Sequence, residues 1–370
     1  MTDTAPLFAP FTCKSLTLAN RIVMAPMTRS HSPDGVPGEN VRDYYARRAA
    51  AEVGLLVTEG TTVDRKAASF DANVPNFHAD ASLAGWGEVA KAVHENGGKI
   101  APQLWHVGMA RKPGTGPHPD ATSDSPSGLT HTGKQVSQAP SDEDVADMVS
   151  AFANAAGEAK RLGFDCIEIH GAHGYLIDQF FWDVMNQRED KYGGGLNDRA
   201  SFAADIIAEC RKAVGEDMPI ILRYSQWKQQ EYTARLADTP QKLEAFLGVL
   251  ADAGVDIFHC SQRRYWEAEF PELDGEDGLN LAGWSKKLTG KPTISVGSVG
   301  LSSDFFGAFA GEGSKSRPLS DLVERMDKDE FDLIAVGRAL LQDPLWAQKV
   351  KDDRMDELED YDAKTLATLY

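Results

Sequence analysis

Residues 165–175 read DCIEIHGAHGY. Over 165–170 the side chains alternate: Cys166, Glu168 and His170 share one face and Ile167 and Ile169 the other, the period of a strand. The run then breaks at Gly171 into a polar cluster, His170-x-x-His173-x-Tyr175. Upstream, Gly163 stops a helical pattern over 141–162 that opens with Ser141-x-x-Asp144, a helix-start signature. Downstream, a helical pattern over 198–214 leads into another apolar run at 219–224. Helix, strand, helix, strand in this order is the unit of a parallel sheet.

The unit recurs in both directions. Apolar runs at 21–25, 54–59, 99–104, 165–170, 219–224, 256–261, 292–296 and 331–336 are rich in Val, Ile and Leu, as strands buried on both faces are. Helical patterns lie over 40–52, 83–95, 141–162, 198–214, 240–253, 281–288, 320–326 and 339–350. Gly254 and Gly290 follow two of them as stops. Eight repetitions predict a single (β/α)8 barrel, one α/β domain over residues 1–370. A doubly wound open sheet is the alternative, but the first run passes into Pro26-Met27-Thr28 and no GxGxxG follows it. Two stretches stand outside the alternation. Residues 110–140, after the third run, are rich in Gly, Pro, Ser and Thr and are read as a lid over the barrel mouth. Residues 301–319, after the seventh, are read as an insertion.

Bulk properties limit the partners. The net charge of −18 lacks the basic face that phosphate backbones or anionic lipid require, so neither nucleic acid nor a membrane is expected. No apolar run is long enough to span a bilayer, and residues 1–10 do not read as a secretory signal. Cys13, Cys166, Cys210 and Cys260 form no close pair. A soluble cytoplasmic protein acting on a small molecule is expected, with a homo-oligomer left open.

In such a barrel the active site lies at the C-terminal ends of the strands. Those ends carry Ala25-Pro26-Met27-Thr28, Gln103-Leu104-Trp105-His106, the His170/His173/Tyr175 cluster, Arg223, Gly297-Ser298 and Gly337-Arg338. No carboxylate dyad is among them, which points away from glycoside hydrolysis. Two histidines could ligate zinc, with Glu168 or Cys166 as a third ligand, in a metal-dependent hydrolase. Alternatively two imidazole N–H groups converge on one oxygen and stabilise a developing enolate, with Tyr175 as general acid. The three could also be satisfied core residues. The glycine pairs after the seventh and eighth runs, with Arg338, favour a phosphorylated cofactor or substrate.

Taken together, NRIVMAPMTR (20–29), QLWH (103–106), HGAHGYL (170–176), NQREDKYGG (186–194) and VGR (336–338) resemble the Old Yellow Enzyme family of NAD(P)H:flavin oxidoreductases, from about Leu7 to Val350. The resemblance implies non-covalent FMN and NAD(P)H as reducing co-substrate. It places Thr28 at the flavin O4, Gln103 at the pyrimidine edge and Arg223 near N1 and O2. Backbone at Pro26, Gly297 and Gly337, with the Arg338 side chain, would hold ribityl and phosphate. Ala25, Met27, Gly60, Ser298 and His170 complete the implied cofactor set. Trp105, His170, His173 and Tyr175 would meet an activated alkene, reduced in a ping-pong cycle with Tyr175 as proton donor. Nitro compounds and nitrate esters remain open as acceptors. Gly60 stands where the family often carries Ala, a change expected to matter little, and Thr28 where one subgroup carries Cys. Tyr265 and Trp266 are candidates for the pocket or for a packing contact, and Tyr361 or Tyr370 for a C-terminal tyrosine reaching it. A flavin-binding protein without catalysis is the remaining alternative.

Overall fold

The computed structural model describes residues 3–370. A short antiparallel hairpin, β1 (Phe11–Cys13) and β2 (Leu16–Leu18), precedes eight barrel strands. These are β3 (Ile22–Met24), β4 (Leu55–Thr62), β5 (Lys99–Trp105) and β6 (Ile167–His173). They continue as β7 (Ile220–Lys228), β8 (Ile257–Ser261), β9 (Thr293–Val296) and β10 (Leu333–Val336). All pair in parallel, and β10 closes on β3 through Ile334↔Ile22 and Val336↔Met24. The eight predicted runs are these eight strands.

Alternation along each strand sorts side chains between two apolar layers. Ile22, Met24, Leu56, Ile100, Ile167, Ile169 and Leu222 pack outward against the helices. Val23, Leu55, Val57, Ala101, Cys166, Ile221, Ile257, Ile294 and Leu333 fill the barrel interior. The hairpin belongs to that inner layer through Phe11, Leu16 and Leu18. Its turn is tied to the N-terminal strand ends: Ser15 N–H donates to the Asp217 carbonyl at 3.1 Å, and Lys14 pairs with Asp256 at 2.9 Å. The hairpin therefore stops the bottom of the barrel. Higher up, the inward positions turn polar, with Gln103, Glu168 and His259, and then Arg223 and His170. The axis thus runs from an apolar plug through a buried polar layer to the mouth.

The helix predicted over 339–350 is two helices, Arg338–Gln342 and Trp346–Lys351. Pro344 excludes the helical conformation from the residue before it, and Asp343 is extended at φ −133°, ψ 101°. The pattern over 198–214 is also divided, into Leu196–Arg199 and Ser201–Val214. After a short 3-10 turn over Gly108–Ala110, residues 111–140 run without helix or strand, apart from an isolated bridge between Leu129 and Gln135. The 301–319 insertion contains the helix Phe305–Phe309 and is tied to the C-terminal segment by a bridge between Ser314 and Tyr361. Among the described residues no helix is long and apolar enough to cross a membrane.

Candidate active site at the mouth of the barrel

The strand β6 does not end smoothly. Its register against β7 shifts between Gly171 and His173, and His173 adopts a left-handed φ of 66°. This kink turns His173 toward the same side as His170, although their separation of three would put them on opposite faces of a regular strand. Two contacts fix the turn: His173 N–H donates to Ser225 Oγ at 3.0 Å, and Ala172 N–H donates to His170 Nδ1 at 3.3 Å. With Nδ1 accepting, the His170 proton is on Nε2. Gly174 is also left-handed, at φ 76°, and a Cβ there would lie 1.9 Å from Gln230 Oε1. Its N–H donates to Asp178 Oδ2 at 2.7 Å, and Asp178 Oδ1 accepts from Lys228 Nζ at 2.5 Å inside the protein. The segment that presents Tyr175 is therefore anchored by a buried ion pair.

The three rings form one cluster. His170 meets His173 and Tyr175 edge-on, each at 5.1 Å between centroids. Trp105 lies nearly parallel to His170 at 6.1 Å and edge-on to Tyr175 at 4.9 Å, and Trp227 stacks on His173 at 4.7 Å. Burial, reinforced by the Arg223 cation, holds both imidazoles well below their ordinary pKa, so each is a neutral N–H donor. Burial raises the Tyr175 phenol, which keeps its proton. His173 Nε2 and Ser261 Oγ are 2.7 Å apart. The pattern of residues showed His170, His173 and Tyr175. It did not show Ser225, Ser261, Trp227, Asp178 or Lys228, whose roles come from contacts made only in the fold.

Arg223 points into the barrel beside Glu168, and its buried Nε has no hydrogen-bond partner. Gln103 Nε2 donates to Glu168 Oε1 at 2.8 Å, and Glu168 Oε2 is 2.6 Å from His259 Nδ1. Glu168 is thus committed within the barrel and Cys166 lies in its apolar interior, so neither completes a metal site with His170 and His173. No group of three or more His, Cys, Asp or Glu residues placed to hold a metal occurs among the described residues.

The expected phosphate end is contiguous, because β9, β10 and β3 are neighbours. At Gly297, φ is 150° and a Cβ would lie 2.9 Å from the Gln262 carbonyl oxygen, so only glycine fits. Ser298 follows with φ 51°. A Cβ on Gly337 would lie 3.4 Å from Met27 Sδ and 3.7 Å from Ala25 Cβ, which places the 25–27 segment against this end, with Thr28 exposed beyond it. Arg338 donates to the Asp304 carbonyl at 2.8 Å and to that of Ser303, so the insertion reaches the same end.

Gly60 is less replaceable than the sequence suggested. A Cβ there would lie 2.5 Å from Trp105 Cε3, so the indole occupies the space an alanine methyl would need. Tyr265 and Trp266 are packing residues: they contact each other edge-on, Tyr265 N–H donates to the Gly297 carbonyl at 3.0 Å, and Arg317 covers Trp266. Tyr361 is buried near Arg338, 5.6 Å from its guanidinium, whereas Tyr370 is exposed and stands on Arg47.

The residues fit FMN. A buried cation with a partnerless donor faces the place expected for the pyrimidine. A glycine cradle with an arginine stands where phosphate would lie.

Comparison with known proteins agrees. The sequence profile of the NADH:flavin oxidoreductase / NADH oxidase family matches residues 6–357. The NADH oxidase of Thermoanaerobacter brockii is 34% identical over 365 residues, 97% of this chain and 52% of that protein, so the chain spans about half the length of that relative. The chanoclavine-I aldehyde reductase of Penicillium roqueforti is 34% identical over 345 residues, covering 91% of this chain and 87% of that one. Morphinone reductase, solved in complex with tetrahydroNAD, superposes with a TM-score of 0.78 at 27% identity over 97% of this chain and 93% of that one. The chain therefore belongs to the NADH:flavin oxidoreductase / NADH oxidase family, the Old Yellow Enzyme family, and is an NAD(P)H-dependent oxidoreductase with FMN as cofactor.

Proposed function

We propose that the protein reduces the activated C=C bond of α,β-unsaturated carbonyl or nitro compounds in a ping-pong cycle. The observation that carries this reading is the pairing of two neutral imidazoles with a protonated tyrosine in one buried ring cluster. FMN, when bound, supplies the two-electron carrier that takes hydride from NAD(P)H and passes it to the β-carbon of the acceptor. His170 and His173 donate to the carbonyl or nitro oxygen, where negative charge grows as hydride arrives. Neutral donors suit this task, since they stabilise the oxyanion without surrendering a proton to it. Tyr175 gives its proton to the α-carbon and regains one from solvent. Trp105 bounds the acceptor site. Thr28, Gln103 and Arg223 hold the ring of the cofactor, and Gly297, Ser298, Gly337 and Arg338 its phosphate end.

The test is an absorption spectrum taken before and after anaerobic addition of NADPH or NADH. Flavin bands that bleach and then return with cyclohexenone are the expected result. A colourless protein that takes up no added FMN overturns the reading. His170→Ala should slow reoxidation by cyclohexenone by about 10²–10³-fold, the usual cost of one oxyanion donor, and weaken phenol binding. Unchanged phenol affinity would remove His170 from the oxygen site.

A further inference from the structure

The mechanism gives no role to Glu168 and His259, which lie in the polar layer beneath the site with Gln103. Glu168 and His259 are both fully buried, and Gln103 is nearly so. A carboxylate has only acceptors, so the Gln103 amide must turn its NH2 toward Glu168 Oε1, 2.8 Å away. Its carbonyl oxygen is then left to accept from another group. His259 completes the carboxylate from Nδ1 at 2.6 Å, and its Nε2 has no partner. Burial favours the neutral imidazole there, so His259 supplies a hydrogen bond and no compensating charge. Arg223 stands as a countercharge on the adjoining strand, where His170↔Arg223 is two residues beyond Glu168↔Ile221 in the ladder.

We propose that Glu168 is a positioning residue for the flavin. It fixes the Gln103 amide with its oxygen toward the N3–H of the pyrimidine, and its charge offsets that of Arg223. This rests on the FMN reading of the mouth given above. The reduced flavin anion gathers charge at the N1–C2–O2 edge, where Arg223 favours it and Glu168 opposes it. Glu168 therefore holds the bound flavin at a lower potential than Arg223 alone would set. It also gives the ring a fixed acceptor in place of an amide free to turn over.

The experiment compares wild-type protein with Glu168→Gln, which keeps the shape and removes the charge. The readout is the ratio of FMN dissociation constants in the oxidised and reduced states, obtained from the midpoint potentials of bound and free FMN. We expect that ratio to rise at least about tenfold, which for two electrons is an upward shift of about 30 mV. An unshifted potential overturns the proposal. So does a fall in melting temperature with both dissociation constants rising in step, which a purely structural role would give. If Glu168→Gln does not fold, Glu168→Met with His259→Leu carries the same expectation, since replacing both members of a buried polar pair is better tolerated than removing one. A wild-type protein that takes up no FMN overturns the function reading itself. A wild-type protein that binds FMN while the variants keep its potential overturns only the role of Glu168.

Discussion

Glu59 lies on β4 with one oxygen satisfied and the other not. Its Oε2 accepts from the backbone N–H groups of Arg29 and Ser30, at 2.8 and 3.1 Å, while the buried Oε1 has no partner. Burial pushes its pKa from 4.5 up to about 7. Between those values the folded protein keeps a proton that the unfolded chain has lost. The contribution of this group is therefore fully present below pH 4.5 and is lost as pH rises through about 7. Each unit is worth about 1.4 kcal/mol. Glu59→Gln, whose amide oxygen can still accept from both N–H groups, should gain up to about 3 kcal/mol on wild type between pH 5 and pH 8. Urea denaturation at both pH values checks this, and parallel profiles would refute it. Nothing in the sequence around Glu59 shows this environment, because its partners are main-chain groups of another segment. His170, His173 and Tyr175 were legible for the opposite reason: polar side chains ending an apolar strand are conspicuous without any partner. Gly60 was misjudged because the contact that matters, with Trp105, crosses from one strand to the next.

The irregular segment 110–140 shows what an element without periodicity conceals. Its composition announced a loop, but its attachments lie in single side chains. Asp124 accepts from Arg65 through both oxygens, at 2.7 and 3.1 Å, and is 2.8 Å from His106 Nε2. Burial opposes ionisation of Asp124, but the hydrogen bonds from His106 and Arg65 outweigh it and its pKa is lowered. Arg188, from the NQREDKYGG stretch, donates to the carbonyls of Pro126 and Pro140 and so clamps the segment near its C-terminal end. Asp124→Asn removes the nearer anion of Arg65, leaving Asp147 at 3.8 Å, and should free the middle of the segment while the barrel stays folded. Limited proteolysis within 110–140 should quicken about tenfold, a change of about 1.4 kcal/mol in local opening. Equal cleavage rates would show that the contacts from Gln187 and Arg188 hold the segment without the Asp124 charge. The division of the 339–350 helix was within reach of the sequence, since Asp343-Pro344 is a stop whose apolar surroundings masked it.

At the scale of the molecule the barrel was readable because eight runs each had to be apolar on both faces, and few folds impose that. The hairpin that stops its lower end was not readable. Strands of three residues fall below any periodic signal, and Phe11, Leu16 and Leu18 look like scattered apolar residues until the barrel gathers them. Leu18 is fully buried in that interior. Leu18→Ala should lower unfolding free energy by about 2–5 kcal/mol, the usual cost of a buried leucine truncation, and leave the absorption of bound FMN unchanged. Chemical denaturation followed by circular dichroism measures the loss, and a value below about 1 kcal/mol would mean that the hairpin only rests against the barrel.

The same stopper has a kinetic meaning. A barrel plugged at one end offers a single doorway, and the polar layer of Gln103, Glu168 and His259 fills the passage behind it. In the proposed ping-pong cycle, reductant and acceptor would take turns at that one threshold, with electrons stored between visits.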